Sequence, residues 1–254
     1  MARQAKDFCG LSLGFCLLTR VQRRGIVVSA KNCASRTMPT IEANKIHIYY
    51  EVRGTGEPLV LIAGLATDLT QYETMITELS RRNHIIAFDN RGAGRTDKPD
   101  VPYSIEMMAD DTAGLLRALG TERAHVLGIS MGGRIALALT LRYPTLVKSL
   151  ILVSTSATRP KTWRGRLVNL YLRIPILRTI GKRYPQPYYA VMRQRNAWRN
   201  FDAAGRLSDI RVPTLILHGK KDKLVPRVLA EDMHVRIRGS ELILFAGGHH
   251  FLFF

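Results

Sequence analysis

A chain of 254 residues, 46% of them hydrophobic, suits one α/β domain with an insertion and a core large enough to need no disulfides. The net charge is +18, and 17 of these charges fall within residues 1–38 and 159–211, leaving the remainder nearly neutral. No zinc pattern, RNP-like run or recognition helix accompanies the arginines, so nucleic acid is not the expected partner. Cys9, Cys16 and Cys33 all precede residue 38, which makes the folded part cysteine-free and indifferent to redox compartment.

Residues 1–38 contain the apolar run Phe8–Leu18, too short to span a bilayer and closed by Arg20, Arg23 and Arg24. A small-residue cleavage site comes only beyond these arginines, against a secretory signal. The segment reads as a non-native extension ahead of a start at Met38, with an organellar transit peptide as the alternative. It is expected to lie outside the fold, and the cytoplasm is the expected location unless residues 1–37 direct import.

The first strand pattern is Ile46–Val52, followed by a Gly54-Thr55-Gly56 turn and the apolar strand Leu59–Ile62, a pair that reads as an opening hairpin. Tyr72–Leu79 has helical spacing, Ile85–Phe88 reads as a buried strand, and Ile105–Leu119 as a longer helix stopped by Gly120. Val126-Leu127, Leu150–Val153, Leu215–His218 and Leu242–Phe245 are further short apolar strands, with a helix from Met131 to about Arg142 closed by Pro144. Short apolar strands alternating with amphipathic helices predict a parallel sheet covered on both faces. Residues 156–210 break the alternation and read as two or three short helices forming a small basic lid. The core is then 39–155 and 211–254.

Between one predicted strand and the next helix stands Gly128-Ile129-Ser130-Met131-Gly132, a G-x-S-x-G. A serine hydroxyl used as a nucleophile has to be exposed on a tight turn beside a base and oxyanion donors, and the glycines permit that turn. The pentapeptide alone arises by chance in roughly one chain in ten of this length. Two more candidates follow later strands, Asp222 in Gly219–Pro226 and His249 after Gly247-Gly248. Active sites of open α/β sheets gather at the carboxyl ends of strands.

The order Ser130, Asp222, His249 resembles that of the α/β-hydrolase superfamily, particularly its small bacterial carboxylesterase and enol-lactonase type. The likeness covers about residues 40–250. Phe88-Asp89-Asn90-Arg91-Gly92-Ala93-Gly94-Arg95-Thr96 is similar to the family's D-x-R-G-x-G-x-S loop, Gly219–Pro226 to its G-x-x-D-x-x-x-P acid loop, and Gly248-His249 to its Gly-His signature. The resemblance implies an α/β-hydrolase fold with an eight-stranded, mostly parallel sheet and a helical lid. It also implies a catalytic triad in which Ser130 attacks an ester carbonyl, His249 carries the proton and Asp222 orients the imidazole. The amide of Met131 would form the oxyanion hole with, by the resemblance, that of Leu65. Many relatives have His-Gly where this chain has Ala63-Gly64, which removes a side chain that would help hold that loop.

His250 competes with His249, but the family places the base directly after glycine. Ser154 and Thr155 occupy the rival acid position at the strand before the lid, and neither is a carboxylate. Asp89 and Arg91 are expected to organise a loop near the elbow, and the remaining histidines to be core or surface residues. No metal-ligand cluster is apparent, so a cofactor-free enzyme is expected. Relatives continue past the histidine with an acidic residue, a proline and a final helix, whereas this chain stops at Phe254. A truncated chain that holds every catalytic group is the resulting expectation, and its oligomeric state is not readable.

The function expected is hydrolysis of small or medium carboxylic esters or lactones through an acyl-enzyme intermediate. Ser130 excludes epoxide hydrolase and haloalkane dehalogenase chemistry, which need a carboxylate nucleophile. Perhydrolase and carbon-carbon bond hydrolase chemistry share the triad, and an impaired binding protein is the alternative from a different class. The basic segment reads either as a solvated face or as a lobe that attracts anionic or carrier-linked esters.

Overall fold

The chain enters the fold on a hairpin other than the one its sequence predicts. In the computed structural model, which describes residues 39–159, 183–248 and 250, strand β1 (Thr40–Ala43) pairs antiparallel with β2 (Ile46–Arg53). The two-residue turn between them is Asn44-Lys45, with φ of 49° and 64°. Two successive positive φ values match the right-handed twist of a tight hairpin.

The expected pairing of 46–52 with 59–62 does not form, because β4 (Asn83–Phe88) lies between β2 and β3 (Glu57–Ile62). Two physical reasons account for this. The run Leu59–Ile62 is at most 5% exposed, so it needs a neighbour on each side and cover on each face, which a hairpin edge does not provide. Gly54 also packs on the end of helix α1 (Glu73–Ser80), where an added Cβ would stand 2.2 Å from the Ser80 carbonyl oxygen. The turn is therefore docked on a helix and carries the chain past β2.

The sheet has eight strands in the order β1-β2-β4-β3-β5-β6-β7-β8. From β4 onward all pairs are parallel, through β5 (Ala124–Ile129), β6 (Val147–Val153), β7 (Thr214–Gly219) and β8 (Glu241–Phe245). Helices α2 (Ile105–Ala118) and α3 (Met131–Arg142) cover one face, over Val60, Ile62, Ile86, Phe88 and Val126. Helix α1 covers part of the other, with Ile76 over Leu59, Leu61 and Ile85. Strand alternation sends these two sets to opposite sides.

Of the segment 156–210, expected as a lid, residues 160–182 lie outside the described residues, as do the N-terminal 38, residue 249 and the last four. The remainder holds helix α4 (Tyr188–Asn200) and a 3-10 turn at Ala204–Asp209, and α5 (Arg227–Arg236) follows β7. Among the described residues no helix is long and apolar enough to cross a membrane. The carboxyl ends of β3, β5, β6, β7 and β8 lie along one edge of the sheet, where their loops assemble the candidate site.

Candidate active site

The turn from β5 into α3 concentrates its strain on one residue. Ser130 has φ 53° and ψ −112°, a region that costs about 1–3 kcal/mol for a residue with a side chain. Neither Gly128 nor Gly132 has positive φ, so the glycines serve close approach and not the strained angle itself. A Cβ on Gly132 would sit 2.0 Å from the Ile62 carbonyl oxygen, and one on Gly128 would sit 2.4 Å from that of Gly132. The surroundings fix the serine on both sides: its amide donates to the Val153 carbonyl at 2.9 Å, and Thr155 Oγ1 donates to its carbonyl at 2.6 Å. Thr155, which stands near the rival acid position, is thus a brace for the elbow.

Asp222 is where the sequence reading puts it, in the loop after β7, with a fully buried side chain. Its Oδ1 accepts from the amides of Leu224 and Val225, both at 2.9 Å, which holds the carboxylate plane. Its Oδ2 accepts from a histidine Nδ1 at 2.8 Å, and the Nε2 of the same ring lies 3.0 Å from Ser130 Oγ. That histidine is His250, where the sequence reading expects His249; His249 itself lies outside the described residues. The carboxylate can only accept, so Nδ1 carries the proton and Nε2 is the acceptor facing the serine hydroxyl.

The loop after β8 is tied to the acid loop. Gly248 donates its amide to Phe245 and gives its carbonyl to the amide of Lys221 in the acid loop, at 3.2 and 2.9 Å. The ring facing Ser130 stands two residues beyond Gly248. The Gly-Gly-His-His sequence contains no signal for that offset.

The loop after β3 carries the second expected oxyanion donor, Leu65. Its backbone comes close to the nucleophile, since a Cβ on Gly64 would stand 3.7 Å from Ser130 Cβ. The support that Ala63 cannot give comes from elsewhere. Gly64 N–H donates to Tyr72 Oη at 2.9 Å, Thr67 Oγ1 donates to the Gly64 carbonyl at 2.9 Å, and the two hydroxyls lie 3.0 Å apart. Thr67 has only one proton, so Tyr72 must donate to Thr67 and a closed ring of three hydrogen bonds results. Burial pushes the Tyr72 phenol above its ordinary range, which keeps that donor protonated. Asn90 Nδ2 donates to the Ala63 carbonyl at 2.9 Å, and Gln194 Oε1 accepts from the Ala66 amide at 3.0 Å. Met131 N is at the first position of α3, among the amides that have no acceptor within their own helix.

Asp89 and Arg91 organise the neighbouring loop, as expected. Asp89 is buried and accepts from the amides of Leu69 and Arg95 at 2.8 and 2.9 Å, and Arg91 forms a two-pronged pair with Asp111 at 2.7 and 2.6 Å. His218, read as a core or surface histidine, is fully buried at the end of β7. Its Nε2 is 2.8 Å from the Val225 carbonyl and 3.6 Å from Asp222 Oδ2. Burial lowers its imidazole pKa, which leaves it neutral beside the acid. His47, His125 and His234 bond Asp97, Ser149 and Ser240 away from the site. Sequence reasoning missed Tyr72, Gln194 and the bracing role of Thr155; only Asn90 lay inside a motif.

The family comparisons agree with the fold. The family model described as alpha/beta hydrolase fold matches residues 57–174, and that described as serine hydrolase (FSH1) matches residues 122–251. The chain belongs to the α/β-hydrolase superfamily and is a hydrolase of the serine type. It is 32% identical to RutD, a proposed carbamate hydrolase of Azorhizobium caulinodans, over 76% of this chain and 84% of that one. It is similar to the esterase EaEST of Exiguobacterium antarcticum at 28% identity, with a TM-score of 0.75 over 84% of this chain and 92% of that one. A meta-cleavage product hydrolase of Pseudomonas fluorescens IP01 matches at 25% identity and a TM-score of 0.71, over 84% of this chain and 90% of that one.

Proposed function

We propose that this protein cleaves carboxylic esters or lactones through an acyl-enzyme intermediate, with Ser130 as nucleophile, His250 as base and Asp222 as the group that orients it. The observation that carries the proposal is the continuous line from Ser130 Oγ through His250 Nε2 and Nδ1 to Asp222 Oδ2, at 3.0 and 2.8 Å. As Oγ bonds to the carbonyl carbon, its proton passes to Nε2 and the carbonyl oxygen becomes an oxyanion facing the amides of Leu65 and Met131. Collapse expels the alcohol, which takes the proton from Nε2. Water then repeats the sequence on the acyl-serine and restores the free serine. The imidazolium formed in each half is stabilised by the buried Asp222 carboxylate.

A second reading, carbamate cleavage, is favoured by the likeness to RutD. The same attack on a carbamate carbonyl would expel the alcohol and leave a carbamoyl-serine, or expel the amine and leave a carbonate ester of the serine. A panel of p-nitrophenyl esters, lactones and aryl carbamates of matched size separates the two readings by relative kcat/KM.

The triad is tested by labelling with a fluorophosphonate. Wild type should be labelled at Ser130, and His250→Gln should slow the reaction by at least about a thousand-fold. His249→Gln should leave it within a few-fold. An unlabelled Ser130, or a labelling rate that depends on His249 and not on His250, overturns the assignment.

A further inference from the structure

Helix α4 enters the fold as part of an insertion, yet its buried face grips the loop opposite the nucleophile. Gln194 is fully buried on that face. Its Oε1 accepts from the Ala66 amide at 3.0 Å, and its Nε2 donates to the Arg91 carbonyl at 2.7 Å. The amide therefore spans two loops and fixes one residue on each. Ala66 follows Leu65 directly and has φ 55°, a left-handed conformation that an alanine holds only under constraint. Val191 of the same helix packs on Ala66, with Leu65 and Met192 at the edge of that cluster.

The helix is itself tied down along its length. Tyr189 Oη donates to the Lys98 carbonyl at 2.7 Å, and Arg193 pairs with Asp100 at 3.1 Å. Toward its end, the buried Arg134 of α3 donates to the Trp198 carbonyl and, at 2.9 Å, to Ser156 Oγ. The helix that carries Gln194 is thus fastened both to the loop after β4 and to the helix that begins at the nucleophile.

We infer that Gln194 is a positioning residue for the oxyanion loop: it holds the Ala66 peptide, and with it the Leu65 amide, so that the donor is in place only when α4 is seated. The inference rests on the proposed acyl-transfer chemistry and assigns the insertion a part in it. An amide that binds developing negative charge acts in the transition state more than in the ground state. Loosening it lowers kcat and leaves KM nearly unchanged, whereas a residue that merely shapes the pocket moves KM.

The test is Gln194→Leu, of similar size and without either hydrogen bond, with kcat expressed per site titrated to completion by fluorophosphonate so that misfolded protein does not count. A displacement of the order of an ångström lowers rate by up to about a hundred-fold. A fall in kcat of at least about ten-fold is expected, at a KM within about two-fold of wild type. Affinity for a trifluoromethyl ketone, whose adduct with Ser130 carries an oxyanion, should fall by the same factor as kcat/KM. A kcat within two-fold of wild type, or a loss confined to KM, overturns the inference.

Should the leucine variant fail to fold, Gln194→Glu replaces it. A neutral carboxyl reproduces both bonds, and an ionised one faces the Arg91 carbonyl without a proton to donate. The ratio of its kcat to wild type should therefore fall as pH rises from 5 to 8, and a flat ratio overturns the inference. Wild type that is not labelled at Ser130 would instead sink the proposed function, which keeps the two failures distinct.

Discussion

At the scale of single residues, the acid loop depends on a histidine that does not face the serine. His218 bonds the Val225 carbonyl through Nε2, while Nδ1 is buried with no partner among the described residues. Protonating Nδ1 would place an unsolvated N–H in the interior, which is why burial lowers this pKa. Unfolded His218 takes up a proton below about pH 6.5, and folded His218 only at lower pH. The unfolded state then binds more protons, so stability is present above that pH and is lost as pH falls below it. Urea unfolding between pH 7 and 5.5 should show this loss, at up to about 1.4 kcal/mol per pH unit. His218→Gln retains a donor toward Val225 and does not titrate, so its slope should be shallower; identical slopes in the two proteins would exclude the mechanism. Ser130 and Asp222 were legible because each occupies a motif of fixed spacing after a strand. Tyr72 was not, because its hydroxyl closes a ring with Gly64 and Thr67 that depends on where a helix docks, and docking leaves no local pattern.

At the scale of elements, the elbow requires α3 to begin almost in contact with β3. A methyl on Gly132 would meet the carbonyl oxygens of Ile62 and Ala63 at 2.0 and 2.7 Å, both backbone atoms in the middle of the sheet edge that bears the site. Neither can swing aside as a side chain would, so Gly132→Ala should cost about 3 kcal/mol or more. Gly205→Ala, where a Cβ meets nothing within 4 Å, should stay within about 0.5 kcal/mol of wild type. Denaturant midpoints of the two variants measure the contrast, and equal midpoints would remove close approach as the reason for the glycine. The alternation of short apolar runs was enough to read the parallel part of the sheet, since strands buried on both faces are apolar throughout. The same criterion misled at the start of the domain. Ile46–Val52 and Leu59–Ile62 are consecutive and strand-like, but what separates them in the sheet is β4, and the docking of Gly54 on α1 that enforces this is a tertiary contact. Strand β1, of four residues with one of them buried, was too short and too exposed to register. Short helices are expected within 156–210, but the bounds of helix α4 were not legible, because its buried face of Val191, Gln194 and Ala197 becomes visible only once the site loops are in place.

At the scale of the whole molecule, the chemistry occupies a nearly neutral core while the chain as a whole carries +18. A charge concentrated this way acts on what approaches the molecule. Among the described residues, Lys220, Lys221 and Lys223 are exposed on the same loop that buries Asp222, so part of the positive field is fixed beside the triad. Residues 159–211 hold thirteen Lys or Arg against two Asp, and their described portion includes the helix that holds the oxyanion loop. An anionic ester should therefore be captured faster than a neutral one of the same shape. The Debye length shrinks from about 30 Å at 0.01 M salt to about 3 Å at 1 M. Over that range kcat/KM for a carboxylate-bearing ester should fall several-fold, while kcat/KM for its neutral methyl-ester analogue and kcat for both stay level. Replacing Lys220, Lys221 and Lys223 together by Gln separates local from distributed steering: if the loop dominates, the salt slope for the anionic ester flattens in the variant; an unchanged slope assigns the steering to charges elsewhere on the chain. Equal salt dependence for the anionic and neutral esters in wild type would mean that the charge takes no part in substrate capture.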